Sequence, residues 1–335
     1  GLEMRRLTPT NAAELLFDDV IWGRKARLHH DGFVRLMRDD FGVTVYHIHE
    51  LLRDVVDDPA GRAYILDRKL VPDEVGVRGV TELRSWMDEM ESGELVSHLI
   101  GGVSVSELPD DFRHWLEQAY SPSDFVIAPL PNQLFARDSS AWIYGGVTIN
   151  AMFWPARRSE SLHMAAIYKF HPEFRDGDFR IWWGDPDEGD HGSATLEGGD
   201  VMPVGQGVVL IGMGERTTYQ AVSQVAKVLF DQGAAERVIA AKMPADRASM
   251  HLDTIFSFCD RDLVTIYERA VAAIQPISYR PGEHDLEVTV EKLGWVETVA
   301  GALGLKKLRV IPTGGDTFEQ EREQWDDGNN VVALE

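Results

Sequence analysis

The sequence predicts an α/β protein assembled from repeated units of strand pair, helix and strand, interrupted once by a helical segment. Three observations predict it. An amphipathic helix, a glycine and a short apolar strand recur at Phe33 to Ile48 around Gly42, at Ala221 to Ala240 around Gly233, and at Trp295 to Ile311 around Gly304. Hairpin patterns opening on an acidic residue recur behind Asp138, Asp200 and Asp253. The stretch from about Leu51 to Tyr120 instead carries helical spacing with almost no strand signal.

Taken in order, the first helix, glycine and strand unit is Phe33 to Ile48, turning at Gly42. Helical patterns then follow at Val80 to Met90, Glu94 to Ile100 and Asp111 to Tyr120, so residues 51–120 form an insertion into a β/α domain made of residues 1–50 and 121–335. Behind Asp138 the first hairpin runs Ala141 to Tyr144, turns at Gly145-Gly146 and returns over Val147 to Asn150. The acidic loop Gly184 to Gly192 lacks calcium-loop spacing and is expected to be a solvated turn. Behind Asp200 the second hairpin runs Val201 to Val204 and Val208 to Gly212 around Gly205-Gln206-Gly207. Its glycines lack the strand, turn and helix order of a dinucleotide fingerprint, which argues against a nucleotide cofactor. Val222, Val225, Val228 and Leu229 then recur at helical spacing, with Thr217 or Thr218 as the cap, Gly233 as the terminator and Arg237 to Ala240 as the strand. Behind Asp253 the third hairpin runs Thr254 to Phe258, turns at Asp260-Arg261-Asp262 and returns over Leu263 to Ile266. Repetition of this kind is satisfied by arranging units radially, with the opening acids converging near the axis.

The chain of 335 residues is long enough for one large domain or two modest ones. Hydrophobic residues are 44% and charged residues 26%, a soluble globular balance without an apolar run of membrane-spanning length. Acids outnumber bases by 55 to 33, a formal charge of −22 that repels nucleic acid and anionic membranes and attracts small cations. The single cysteine, Cys259, cannot form an intrachain disulfide, and with no leader pattern at Gly1 to Thr10 a cytoplasmic location is expected.

Polar groups crowd five segments where strands begin or end: Asn132 to Asp138, Trp154 to Arg158, Leu196 to Asp200, Gly214 to Arg216 and His251 to Asp253. Each has a plain structural reading by itself, such as an ion pair between Asp138 and Arg137 or a turn at Glu197-Gly198-Gly199. Together, two aspartates, a glutamate and a histidine suit a planar cation, since carboxylates grip a guanidinium fork and an imidazole moves protons near neutral pH. Leu130-Pro131-Asn132-Gln133-Leu134-Phe135-Ala136-Arg137-Asp138, Leu196-Glu197-Gly198-Gly199-Asp200, Met250-His251-Leu252-Asp253 and Trp325-Asp326-Asp327-Gly328-Asn329-Asn330 closely resemble arginine deiminase, and the likeness runs from Arg6 to Glu335. It includes the helical insertion, which marks the bacterial-type enzymes of the guanidine-modifying superfamily.

The resemblance implies a pentein fold, a five-bladed β/α propeller of ββαβ modules, whose last module is incomplete here. It implies hydrolysis of L-arginine to L-citrulline and ammonia through a cysteine thiouronium, with no metal or organic cofactor. Asp138 and Asp253 would hold the guanidinium, Glu197 would pair with His251, and His251 would act as general acid and then base. Asn132, Phe135, Arg157 and Arg216 would bind the amino-acid end. L-arginine and further copies of the chain are the expected partners, with no nucleic acid and no membrane. The family's nucleophile lies downstream of the Trp325 to Asn330 motif, so a chain truncated at both ends and inactive is expected. Cys259, in an apolar strand, is expected to be a buried structural thiol. Two other readings stand beside this one: another superfamily enzyme (an amidinotransferase or a methylarginine hydrolase), and a catalytically silent guanidine binder or scaffold.

Overall fold

The computed structural model describes residues 1–244, 247–283 and 285–334, so Glu335, the end of the family likeness, lies outside the described residues. The chain divides into two compact units, one of Gly1–Phe135 with Pro155–Gly177, the other of Ala136–Trp154 with Asp178–Glu335. This division differs from the expected one: residues before 51, after 120 and around 155–177 join the helices in place of the β/α domain.

The first unit is helical. Its helices include Ile48–Asp57, Pro59–Lys69, Pro72–Asp88, Ser92–Gly101 and Asp110–Leu116, which contain the expected helix Glu94 to Ile100 and end short of the expected Met90 and Tyr120 in the other two patterns. Asp58 starts one of them by accepting the Ala60 N–H, with Pro59 in the first turn where no donor is needed. Leu52, Val55, Ile65, Leu66, Leu83, Leu95 and Leu99 are fully buried. One expectation is corrected here. The helix of the first repeat starts at Gly23, not near Phe33, and Gly42 turns left-handed as anticipated, yet Val43 to His47 form no strand because no neighbouring strand offers them a ladder.

The second unit carries the repeats. In each of three modules an antiparallel hairpin is followed by a further strand parallel to the hairpin's second strand: Arg180–Trp183 beside Gly146–Ile149, Arg237–Lys242 beside Val208–Met213, and Arg309–Pro312 beside Leu263–Ile266. Tyr219–Asp231 and Trp295–Ala302 are the helices of the last two modules, and Gly233 and Gly304 end them at φ +66° and +69°. In the first module the chain makes its helix at Arg158–Phe170, in the first unit. A further hairpin, Gln275–Pro281 with Leu286–Val290, adds to the second module, giving a five-stranded open sheet. Its central strands are buried on both faces: Val209, Ile211, Val238 and Ala240 enter one apolar cluster with Val222 and Val225, and Leu210, Ile239 and Ala241 enter another with Phe256 and Trp295.

Two local expectations are also corrected. The first hairpin turns at Tyr144-Gly145, because Gly146 already pairs with Ile143 and a Cβ there would strike Trp182. Thr218 stands at the helix start but its hydroxyl serves the Thr195 N–H, and the Thr217 hydroxyl serves Asp200, so neither caps the helix by its side chain. No helix among the described residues is long and apolar enough to cross a membrane. The acidic loop is a turn closed on itself, Asp185 accepting from Asp187 and Asp190 from Gly192.

Candidate active site

The residues leading the three hairpins meet in the second unit. After Asp138 the chain enters the strand Ser140–Ile143, and the Asp138 carbonyl accepts from Asn150 Nδ2 at 2.7 Å and from the Gly198 N–H at 3.0 Å, tying the first hairpin to the Leu196 to Asp200 segment. Gly198–Asp200 then make a single tight turn that leaves Glu197 fully buried at its start. The two glycines are required by close approach. A Cβ on Gly198 would lie 1.9 Å from the Arg137 carbonyl oxygen, and one on Gly199 would lie 2.7 Å from His251 Nδ1.

His251 is the centre. Its Nε2 lies 2.7 Å from Glu197 Oε2 and its Nδ1 lies 3.8 Å from Asp138 Oδ1. Burial disfavours its charged form, yet the charge of Asp138, the hydrogen bond and charge of Glu197, and Asp200 outweigh that penalty and push its pKa up to about 10. The same cation answers burial at Glu197, whose hydrogen bond to His251, aided by Arg216, holds its carboxyl below the usual range. Arg216 is buried, with Nη1 3.2 Å from Glu197 Oε2 and Nε without an acceptor among the described residues. Asp253 is also buried. Burial pushes its carboxyl up to about 7, with Asp138 adding and His251 and Arg137 opposing. Asp253 Oδ2 lies 3.9 Å from Arg137 Nε, but Asp253 Oδ1 has no donor among the described residues, and neither does Glu197 Oε1.

Five of the eight residues singled out from the sequence therefore lie in the second unit: Asp138, Glu197, Arg216, His251 and Asp253. The other three belong to the first. There Arg157, 2% exposed, gives Nε and Nη2 to Glu160 at 3.0 and 2.8 Å and also reaches the carbonyls of Asn132 and Phe135. Asn132 donates to the Leu15 carbonyl, and the Phe135 ring is exposed. The sequence reading set Asp200 among the acids converging near the axis but gave it no role in the site, and it missed Thr217. The signal was present, since Asp200 leads a hairpin just as Asp138 and Asp253 do. Cys259 corrects another expectation: it is half-buried, toward the exposed end of the strand Phe256–Asp260.

Fold and site together define a mixed α/β protein whose hairpins deliver buried carboxylates onto one imidazole. Such a centre has the chemistry to take a planar cation and move its protons. The profile of the arginine deiminase family matches residues 13–335, and the chain belongs to that family. Among solved structures, the chain is similar to an arginine dihydrolase from the ornithine-ammonia cycle of cyanobacteria, at 15% identity and TM-score 0.39, over 61% of this chain and 25% of that one. It is also similar to a dimethylarginine dimethylaminohydrolase of Pseudomonas aeruginosa, at 17% identity and TM-score 0.33, over 68% and 91%. A third is an amidinotransferase from Microseira wollei, at 14% identity and TM-score 0.27, over 64% and 77%. The chain thus spans about a quarter of the length of the cyanobacterial dihydrolase.

Proposed function

We propose that this chain carries the guanidinium-recognising and proton-moving centre of an arginine deiminase, which hydrolyses L-arginine to L-citrulline and ammonia. One observation carries the reading: Asp253 Oδ1 and Glu197 Oε1 are buried carboxylate oxygens with no donor among the described residues, beside an imidazole bonded to Glu197. A guanidinium supplies five N–H donors in a plane and is the complementary partner. Asp138 and Asp253 would grip it. A thiolate then attacks its central carbon, His251 gives a proton to the departing ammonia, and water activated by the neutral imidazole displaces the sulfur to leave citrulline. Arg216 is assigned to the amino-acid end. The five-bladed propeller is part of the same proposal, as are the cytoplasmic location and self-association.

The only thiol in the chain, Cys259, makes no contact with the cluster among those described, which favours arginine binding without turnover by this chain alone. The same observation supports the second reading, a silent guanidine binder. Calorimetric titration of L-arginine into the chain tests the centre, and citrulline release from a form bearing the family's cysteine tests the reaction. Binding that survives Asp138→Asn and Asp253→Asn, or turnover of methylated arginine without turnover of arginine, defeats the proposal.

A further inference from the structure

We infer that Asp200 and Thr217 form a positioning clamp that aims the Glu197 carboxylate and the His251 imidazole at one another, so that Asp200 acts on the proton-moving group without touching substrate. The inference deepens the reading of His251 given above and rests on it.

Asp200 is fully buried three residues after Glu197, at the end of the tight turn Gly198–Asp200. Its Oδ1 accepts the backbone N–H of Leu252 at 2.9 Å, the amide that follows His251. Its Oδ2 accepts the Thr217 hydroxyl at 2.6 Å, and the oxygen of that hydroxyl accepts the Glu197 N–H at 3.1 Å. One carboxylate thereby fixes the backbone on both sides of the 2.7 Å contact between Glu197 and His251, two residues 54 positions apart in sequence. The carboxylate is closely packed on the second strand of its own hairpin: a Cβ on Gly212 would stand 1.9 Å from Asp200 Oδ1. Burial raises the Asp200 carboxyl to about 6, while the charge of His251, the Thr217 hydroxyl and the Leu252 N–H favour its ionised form. Thr217 stands one residue before the capping position Thr218 and turns its hydroxyl to Asp200.

The charged groups around the imidazole are Asp138, Glu197, Asp200, Asp253 and Asp327, with Arg216 behind Glu197 and Arg137 beside Asp253. Substituting Asp200 by Asn removes one negative charge and turns an amide N–H against Leu252 or Thr217. Replacing Thr217 by Val removes a hydroxyl and no charge.

The test is proton and nitrogen NMR of histidine-labelled chain, read without arginine. Asp200→Asn is expected to lower the His251 titration midpoint by about one pH unit. It should also speed solvent exchange of the imidazole proton shared with Glu197 about fivefold or more, the loss of one net hydrogen bond. Thr217→Val should speed that exchange similarly with little change in midpoint, and Thr217→Ser should restore it. Should Asp200→Asn not fold, the Thr217 pair decides the matter alone. A shared proton that exchanges in Thr217→Val as in the parent overturns the clamp, and so does a Thr217→Ser variant as fast as Thr217→Val. Because no substrate is present, failure of arginine binding would leave this result standing, and intact arginine binding would not rescue it.

Discussion

His163 in the first unit and His251 in the second are both buried imidazoles, and their surroundings drive them in opposite directions. His163 is fully enclosed, with Nδ1 2.8 Å from the neutral Gln133 side chain. Burial lowers its pKa to about 3, and Lys69 and His49 add to the effect. His251 suffers the same burial, yet the carboxylates of Asp138, Glu197 and Asp200 reverse the outcome and carry it to about 10. Arginines show the same contrast. Arg157 closes a two-pronged pair on Glu160, whereas Arg216 shares Glu197 with a histidine and leaves Glu197 Oε1 without a donor among the described residues. Burial alone makes a sealed structural group. Burial with an excess of acids makes a site that draws in a cation.

The largest expected effect lies on the structural side of this comparison. Glu160→Ala strands the Arg157 guanidinium in the first unit and should cost about 3–5 kcal/mol in denaturant unfolding. A loss below about 1 kcal/mol would mean that Arg157 finds another acceptor, and the contrast with Arg216 would weaken. On the other side, Asp253→Asn removes the carboxylate whose Oδ1 awaits a donor. It should weaken arginine binding by roughly tenfold to a hundredfold in calorimetry, the worth of a charge-assisted hydrogen bond.

Titration sharpens the comparison further, because the two histidines have opposite pH windows. The folded pKa of His163, about 3, is below its unfolded value of about 6.5, so the stability it contributes is present above pH 6.5 and lost as pH falls toward 3. The folded pKa of His251, about 10, is above that unfolded value, so its contribution is complete below pH 6.5 and lost as pH rises through 10. Asp253, raised to about 7, also stabilises the protonated form and loses that contribution between about pH 4 and 7. Histidine-resolved NMR should show one imidazole neutral and the other charged at pH 7. Glu197→Gln should lower the midpoint of His251 and leave His163 in place; equal movement of both would show that a global change, not the local acid, was responsible. The smallest effect belongs to Cys259→Ser, which should leave both midpoints and arginine affinity as they were. Loss of affinity in that variant would place the thiol in the site.

Much of this arrangement is legible in the sequence. Period and punctuation mark the helices that end at Gly233 and Gly304, and alternation with turn residues marks the hairpins behind Asp138, Asp200 and Asp253, because both signals act within a few residues. The Val43 to His47 segment has the same alternation and makes no strand, since a strand exists only when a neighbour completes its hydrogen bonds. The pairing of Arg157 with Glu160 was within reach of a helical spacing argument, but only burial decides that such a pair is closed.

By itself the sequence determined the three hairpins, the helices that end at Gly233 and Gly304, the acids that open the hairpins and the charge of −22 that favours a cation. Its quoted motifs also identified the family. Only the tertiary structure decided which of those acids share one imidazole. Glu197 and His251 are 54 residues apart and meet because parallel strands and a carboxylate clamp return the chain to the same place. The direction of each pKa was likewise decided there, because it depends on how much water is removed and how many charges remain nearby, quantities that exist only once the core has closed.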